Sequence, residues 1–323
     1  MKRLIQLLLP LFCAFFLCQF FLTPAFGEAQ ADGAVTDVNT TPKDRVTRFL
    51  LLGCDRASGL TDSILLVSVN ESEKKASVLQ IPRDTYAEYT ERDYKKLNGG
   101  MSALGESGIK GFLSEALGVP IDYFAVIKLD CFDDIVDAVG GVDVEIPQDM
   151  HYTDPVQDLE IALHAGKAHL DGKQAEQFVR YRSGYANADL GRLDAQKLFL
   201  RAFAQKCKSL SASQFFRVVC ASLTGVQTDM GITDAIRVAG VLRQCDADTF
   251  PMMTIPGQAI PGKSGAWYYV LNREGVCRMI NEYAAPLVPL EVEEFDPYGV
   301  FDREKYTDFH NIYIAEEKSL PLV

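Results

Sequence analysis

Three apolar runs follow one another with barely a turn between them: Arg48–Asp55 (RFLLLGCD), Ser63–Asn70 (SILLVSVN) and Ala76–Ile81 (ASVLQI). None alternates polar with apolar residues over its whole length, so each carries hydrophobic side chains on both faces. A strand of that kind belongs in a sheet covered on both sides. The charged turn Glu71–Lys74 is short enough to make the second and third runs a hairpin. Pro82 then ends the ladder because it has no N–H to donate. Arg83 and Asp84 are left at the carboxyl end of the third strand, where a sheet meets its loops and binding groups are often found.

Downstream, helices and strands alternate. Lys95–Gly100 reads as a loop, Ser107–Leu117 as a helix stopped by Gly118, and Asp122–Leu129 as a strand. A short helix at Phe132–Val139, a Gly140-Gly141 turn and a half-exposed strand at Val142–Pro147 follow. Asp149–Gly166 shows little period and reads as a loop. Helices are predicted at Gly172–Arg182, Asp189–Lys208, Ser213–Leu223, Thr233–Arg243 and Arg273–Tyr283, and strands at Phe250–Ile255 and Trp267–Val270. The class is α/β, with a central mixed sheet covered on both faces.

The ends of the chain have a different composition. Met1–Gly27 opens with Lys2 and Arg3, runs apolar from Leu4 to Leu22 and closes on Ala25-Phe26-Gly27. This is the layout of an export signal, and at about 1.5 Å per residue it is also just long enough for an anchor across ~30 Å of hydrocarbon. Either reading puts the body outside the cytoplasm, held to the cell membrane or secreted. Residues 28–45 are a polar linker, 46–285 the folded domain, and 286–323 an acidic, loosely held tail. The net charge of −12 lacks the basic footprint of a nucleic-acid binder. Six cysteines follow the leader, with no CxxC and no Cys/His spacing suited to zinc. Cys54 and Cys131 read as small buried hydrophobes, and disulfides among Cys207, Cys220, Cys245 and Cys277 stay open. The four histidines form no spaced set.

Asp55 and Asp62 flank a short loop between two strands, a donor type suited to a hard divalent cation such as Mg2+. Taken alone they are equally a turn residue and a surface charge. Arg180 and Arg182 close one helix, Asp189 stands at the start of the next as a candidate N-cap, and Arg192 and Gln196 share a helical face. With Arg83 and Lys96, these bases sit at element ends in an otherwise acidic chain. Several guanidinium forks beside a carboxylate-bound cation are equipment for a pyrophosphate.

In order, GCD…TDS, SVLQIPRDTY, KLN, DAVGGVDVEIP, HLDGKQAEQFVRYR and DLGRLDAQ resemble the LytR-CpsA-Psr family over roughly Phe49–Lys208. The resemblance implies a three-layer α/β/α fold on the outer face of the membrane. It implies a Mg2+-dependent phosphotransferase that moves an anionic glycopolymer, of teichoic acid or capsular type, from polyprenyl pyrophosphate to peptidoglycan through a phosphodiester. By position, Asp55 and Asp62 match the acidic pair that holds the cation, and Arg83, Arg180, Arg182 and Arg192 match pyrophosphate-binding arginines. Lys96 falls on the lysine of KLN, Asp189 on the aspartate of DLGR and Gln196 on the family's glutamine. Asp55, Asp62, Arg83 and Asp189 are the expected catalytic set, with Asp189 orienting or deprotonating the attacking hydroxyl. The chain departs from the pattern at Leu60 and Ala195, where arginines are usual, and Arg56 is an alternative source of the first charge. Leu60 and Ala195 keep non-catalytic binding of polyprenyl phosphates or wall glycan open, and the same site could instead hydrolyse the carrier.

Overall fold

The computed structural model describes residues 45–54, 60–89, 95–155, 159–185, 189–211, 213–214, 217–218, 225–242, 244–245, 251–261 and 266–295. The leader, all but the last residue of the linker, Asp55, Arg56, Cys220 and most of the helix expected at Ser213–Leu223 lie outside the described residues.

In chain order the elements are β1 (Val46–Cys54), β2 (Thr61–Asn70), β3 (Lys75–Ile81), a 3-10 turn at Leu97–Gly99, α1 (Gly100–Ala116), β4 (Tyr123–Lys128), α2 (Leu129–Val139) and β5 (Val142–Ile146). Then come β6 (Met150–Asp154), β7 (Leu159–Leu163), β8 (Gly166–Leu170), α3 (Gly172–Arg180), α4 (Asp189–Lys208), β9 (Val226–Thr228) and α5 (Ile232–Leu242). β10 (Met252–Thr254), β11 (Gly257–Pro261), β12 (Trp267–Leu271) and α6 (Arg273–Tyr283) complete the set.

β1, β2 and β3 form an antiparallel meander at the centre of a six-stranded sheet of order β10-β3-β2-β1-β4-β9. β4 joins β1 and β10 joins β3 in parallel, and β9 is antiparallel to β4, so the sheet is mixed as expected. Strand alternation sends Leu50, Leu52, Ile64, Leu66, Leu79 and Ile81 to one face, under Ile109 and Leu113 of α1 and Val276 and Ile280 of α6. Leu65, Val67, Val69 and Val78 face the other way, toward Leu200 of α4 and Val238 of α5. Both faces are buried, which is why these strands carry no polar alternation.

A second, smaller core lies beside the sheet. β5 pairs with β8 and β6 with β7, and their inward residues Val144, Ile146, Met150, Ile161 and Leu163 meet Phe178 of α3 and Phe199 of α4. Gly140, at φ 85°, ends α2 in the left-handed region and turns the chain into β5.

Several expectations need correcting. Asp149–Gly166 is no loop: it holds the β6/β7 hairpin, whose five-residue strands are too short for their alternation to stand out. α1 starts at Gly100, seven residues before the expected helix. Its glycines hid the start, and a kink at Gly105 (φ 73°) divides it. β9 and β11 escaped notice because three residues, or a strand ending in proline, give no usable period. Cys54 and Cys131 are buried as expected, but Cys207, Cys245 and Cys277 are free thiols. Residues 290–295, within the expected loose tail, are held against the body, while Leu287 and Val288 are exposed. Phe295 is buried, Leu290 and Val292 pack on the main core, and Asn281 brackets the backbone of Leu290 with hydrogen bonds of 2.8 and 2.9 Å. No helix among the described residues is long and apolar enough to cross a membrane.

Arg48 fastens the end of α6 to the sheet. Its side chain is buried, its Nε donates to the Ala284 carbonyl at 2.6 Å, and an Nη donates to the Ala285 carbonyl. Burial disfavours the charged guanidinium, and Asp122 counteracts it. Arg48→Met keeps the apolar stem but orphans two carbonyls. It is expected to lower unfolding stability by about 2–4 kcal/mol in urea titrations, and a variant within 0.5 kcal/mol of wild type, roughly the scatter of a surface substitution, would deny the fastening role.

Candidate active site

Asp62 owes its direction to an irregularity in the ladder. Gly53 pairs with Ser63, but Cys54 pairs with Thr61, so Asp62 is the extra residue of a β-bulge. The bulge turns two successive side chains, Asp62 and Ser63, toward the same cleft. Thr61 points elsewhere and donates to the Asn98 carbonyl at 2.9 Å.

Arg83 is set by the turn after β3, where the Thr85 N–H and hydroxyl both return to the Pro82 carbonyl at 3.0 and 2.6 Å. Its Nη1 forms an ion pair with Asp62 Oδ1. The same oxygen lies 3.9 Å from Nη1 of Arg192, which projects from α4 and is 3% exposed. Two guanidinium groups far apart in sequence, each delivered by a different layer, therefore meet at one carboxylate.

The segment around Lys96 docks on the backbone of this turn. Asn98 N–H donates to the Arg83 carbonyl and Leu97 N–H to the Thr85 carbonyl, at 2.9 and 2.8 Å. Lys96 Nζ itself reaches Asp84 at 2.9 Å, and Asp84 Oδ2 is 4.0 Å from Arg83 Nε. Lys96 thus touches the site through Asp84 and does not line the cleft. Arg180 does line it, its Nη1 bound at 2.7 Å to the buried carboxylate of Glu176 one turn earlier. Glu176 is a site residue that sequence reasoning missed, although its i,i+4 spacing from Arg180 was there to be read. Behind it, burial pushes the Asp133 carboxyl above its ordinary range while Lys173, 3.1 Å away, pulls it back.

Gln196 stands on the cleft floor as a strut. Its Oε1 accepts from Gln80 of β3 at 2.9 Å and its Nε2 donates to the Val179 carbonyl at 3.2 Å, tying sheet, α3 and α4 together. Arg182, expected to join the cluster, is exposed beyond the end of α3 and is not among the cleft residues. Asp189 opens α4, and Asp55 lies outside the described residues. Ala195 is buried against the second core, so its position offers the mouth of the cleft no charge. In the α3–α4 connection Tyr181 and Tyr185 pack edge to face, with centroids 5.4 Å apart, and burial pushes the Tyr185 phenol up to about 12. Gly191 is required beneath them, because a Cβ there would fall 2.4 Å from that of Tyr185.

The cleft encloses about 150 Å³. Its polar lining is Asp62, Ser63, Arg180, Arg192 and Gln196, and Leu51, Leu65, Ile127, Leu129, Phe132, Val179, Phe199 and Leu200 form its walls. Such a cavity suits an amphiphile: an anionic head against guanidinium groups, and a hydrocarbon tail among side chains that make no directional bonds.

A mixed six-stranded sheet between helical layers, with Arg180 and Arg192 lining a largely apolar cleft, defines an α/β protein. The chain belongs to the LytR_cpsA_psr family, whose pattern matches residues 25–285. Two curated relatives are both named polyisoprenyl-teichoic acid–peptidoglycan teichoic acid transferase TagU. The one from Bacillus mycoides is 30% identical over 70% of this chain and 74% of its own length; the one from Bacillus cereus is 28% identical over 79% and 84%. The crystal structure of Bacillus subtilis TagV shares the fold, with a TM-score of 0.65, 23% identity, and coverage of 76% of this chain and 98% of that one.

Inorganic pyrophosphate tests the polar lining alone. Calorimetric titration is expected to show Arg192→Ala binding it about 10–100-fold more weakly than wild type, a loss of about 1.4–2.7 kcal/mol. Glu176→Gln, which only loosens Arg180, is expected to lose about three- to tenfold, roughly the net worth of one ordinary hydrogen bond. Equal affinities in wild type and Arg192→Ala would remove the anion from this cleft.

Proposed function

We propose that this chain is a Mg2+-dependent phosphotransferase, working outside the cytoplasmic membrane, that transfers an anionic glycopolymer from a polyprenyl-pyrophosphate carrier to peptidoglycan. The observation that carries this reading is the meeting of Arg83 and Arg192 at Asp62, on the rim of a cavity whose walls are hydrocarbon. The names of the TagU relatives support the substrate class, and the apolar leader supports the location.

The diphosphate sits against Arg83, Arg180 and Arg192, with the polyprenyl tail among Leu51, Leu65, Phe132 and Phe199. A hydroxyl of the wall polymer attacks the phosphorus nearer the glycan. The new O–P bond forms as the bond to the bridging oxygen breaks, and polyprenyl phosphate leaves with that electron pair. Asp189 is the proposed acceptor of the hydroxyl proton. The guanidinium groups stabilise charge growing on the bridging and equatorial oxygens, and arginines fixed by Asp62 and Glu176 need no reorganisation as it grows. Asp62 is a partly exposed carboxylate at the mouth, the hard oxygen donor magnesium prefers, and with Asp55, the residue after β1, it would hold the ion. Bound there, magnesium adds positive charge at the phosphate oxygens.

The test is a synthetic polyprenyl-pyrophosphate glycan incubated with and without peptidoglycan fragments. Product that requires both acceptor and magnesium is expected, and Arg83→Ala or Arg192→Ala is expected to slow turnover by about 10²–10³-fold, the size of losing one oxyanion donor. Release of polyprenyl phosphate without acceptor would make the enzyme a hydrolase. Tight lipid binding with no turnover would make it a carrier-binding protein, the reading that the neutral Ala195 favours.

A further inference from the structure

Two of the chain's four histidines meet on the β6/β7 hairpin, well apart in sequence. His151 pairs with Ala162, and His164 lies two residues beyond Ala162, so the two histidines are diagonal neighbours on one face. Asp149 shares that face with His151, because Met150 between them turns into the second core. All three side chains are exposed, and one ligand atom from each lies within 4.8 Å of the others. The imidazoles meet edge on at 5.9 Å between centroids, and His164 Nδ1 is 3.7 Å from Asp149 Oδ1. That oxygen also accepts the Ala165 N–H at 2.8 Å, which holds the carboxylate against the turn bearing His164 and leaves Oδ2 for a ligand role.

We propose that Asp149, His151 and His164 form a surface site for a transition-metal ion of the zinc class. Imidazole nitrogen favours Zn2+, Ni2+ or Cu2+ over Mg2+ or Ca2+, which choose oxygen. Two ligands each at about 2.0–2.1 Å from zinc lie at most about 4.2 Å apart, so the observed spacing closes with small rotations of exposed side chains. Three protein ligands leave at least one coordination position facing solvent, open to water or an anionic group. The cysteine and histidine spacings in the sequence gave no sign of this site because the hairpin register creates it. The site is independent of the phosphotransferase reading. It has a structural consequence of its own: β7 packs on α3, where Gln177 accepts the Ala162 N–H at 3.3 Å, so a bound ion clips the hairpin that backs the helix carrying Arg180.

The experiment is calorimetry and thermal melting of the full chain, purified without a histidine tag, titrated with zinc chloride. The result expected is one saturable zinc per chain and a rise in Tm. His151→Ala or His164→Ala should weaken binding by more than about tenfold and abolish the rise. His169→Ala, on the neighbouring β5/β8 hairpin, and Asp62→Asn should bind zinc as wild type does. Electron paramagnetic resonance of the Cu2+-loaded wild type should show two coupled imidazole nitrogens, a readout that needs no variant to fold. Absence of saturable binding, equal binding by the His151→Ala/His164→Ala double variant, or a copper spectrum without two nitrogens would each overturn the assignment.

Discussion

Two guanidinium groups repel, and the site depends on their being held together. Asp62 does this from a position the sheet makes available only by losing register. One extra residue in β2 converts a side chain bound for alternation into one aimed at the cleft. Arg83 arrives from the end of β3 and Arg192 from α4, so the carboxylate also couples the sheet to the helical layer over it. An anion entering the cleft replaces part of what Asp62 already supplies. The cationic pair is thus organised before any ligand comes, which is the condition under which fixed charge is most effective.

The rest of the architecture serves that placement. Gln80, Gln196 and the Val179 carbonyl form a polar tie across the floor, and Glu176 fixes Arg180 from within its own helix. The second core supports α3 and α4 from the outside, and the packing of Tyr185 on Gly191 sets how the chain turns from one helix into the next. Arg48 plays the matching part on the far face, where α6 would otherwise end with open carbonyls.

Much of this was legible in the residues. Long apolar runs located β1, β2 and β3; of the motif residues, Asp62, Arg180, Arg192 and Gln196 line one cleft, and Arg83 reaches it through its ion pair with Asp62. What the sequence hid were features created by pairing rather than by period. The bulge at Asp62 needs knowledge of where β1 ends. The β6/β7 hairpin offers only five residues per strand, and α1 opens on glycine. Arg182 was grouped with Arg180 by adjacency, yet α3 ends between them, so the two guanidinium groups part. The motif points Lys96 at the phosphates, but its ammonium is engaged by Asp84, a contact that sequence adjacency does not reveal.

If the cleft takes the carrier proposed for it, its walls bear on which carriers the protein can distinguish. Leu51, Leu65, Phe132 and Phe199 offer only dispersion contacts, which reward filling and are blind to the position of a double bond or the number of repeating units beyond the cavity. On the proposed reading, recognition of a cargo's chemistry then falls to the polar groups Asp62, Arg180 and Arg192. On that reading, a carrier could lengthen beyond the cavity without this protein having to change with it.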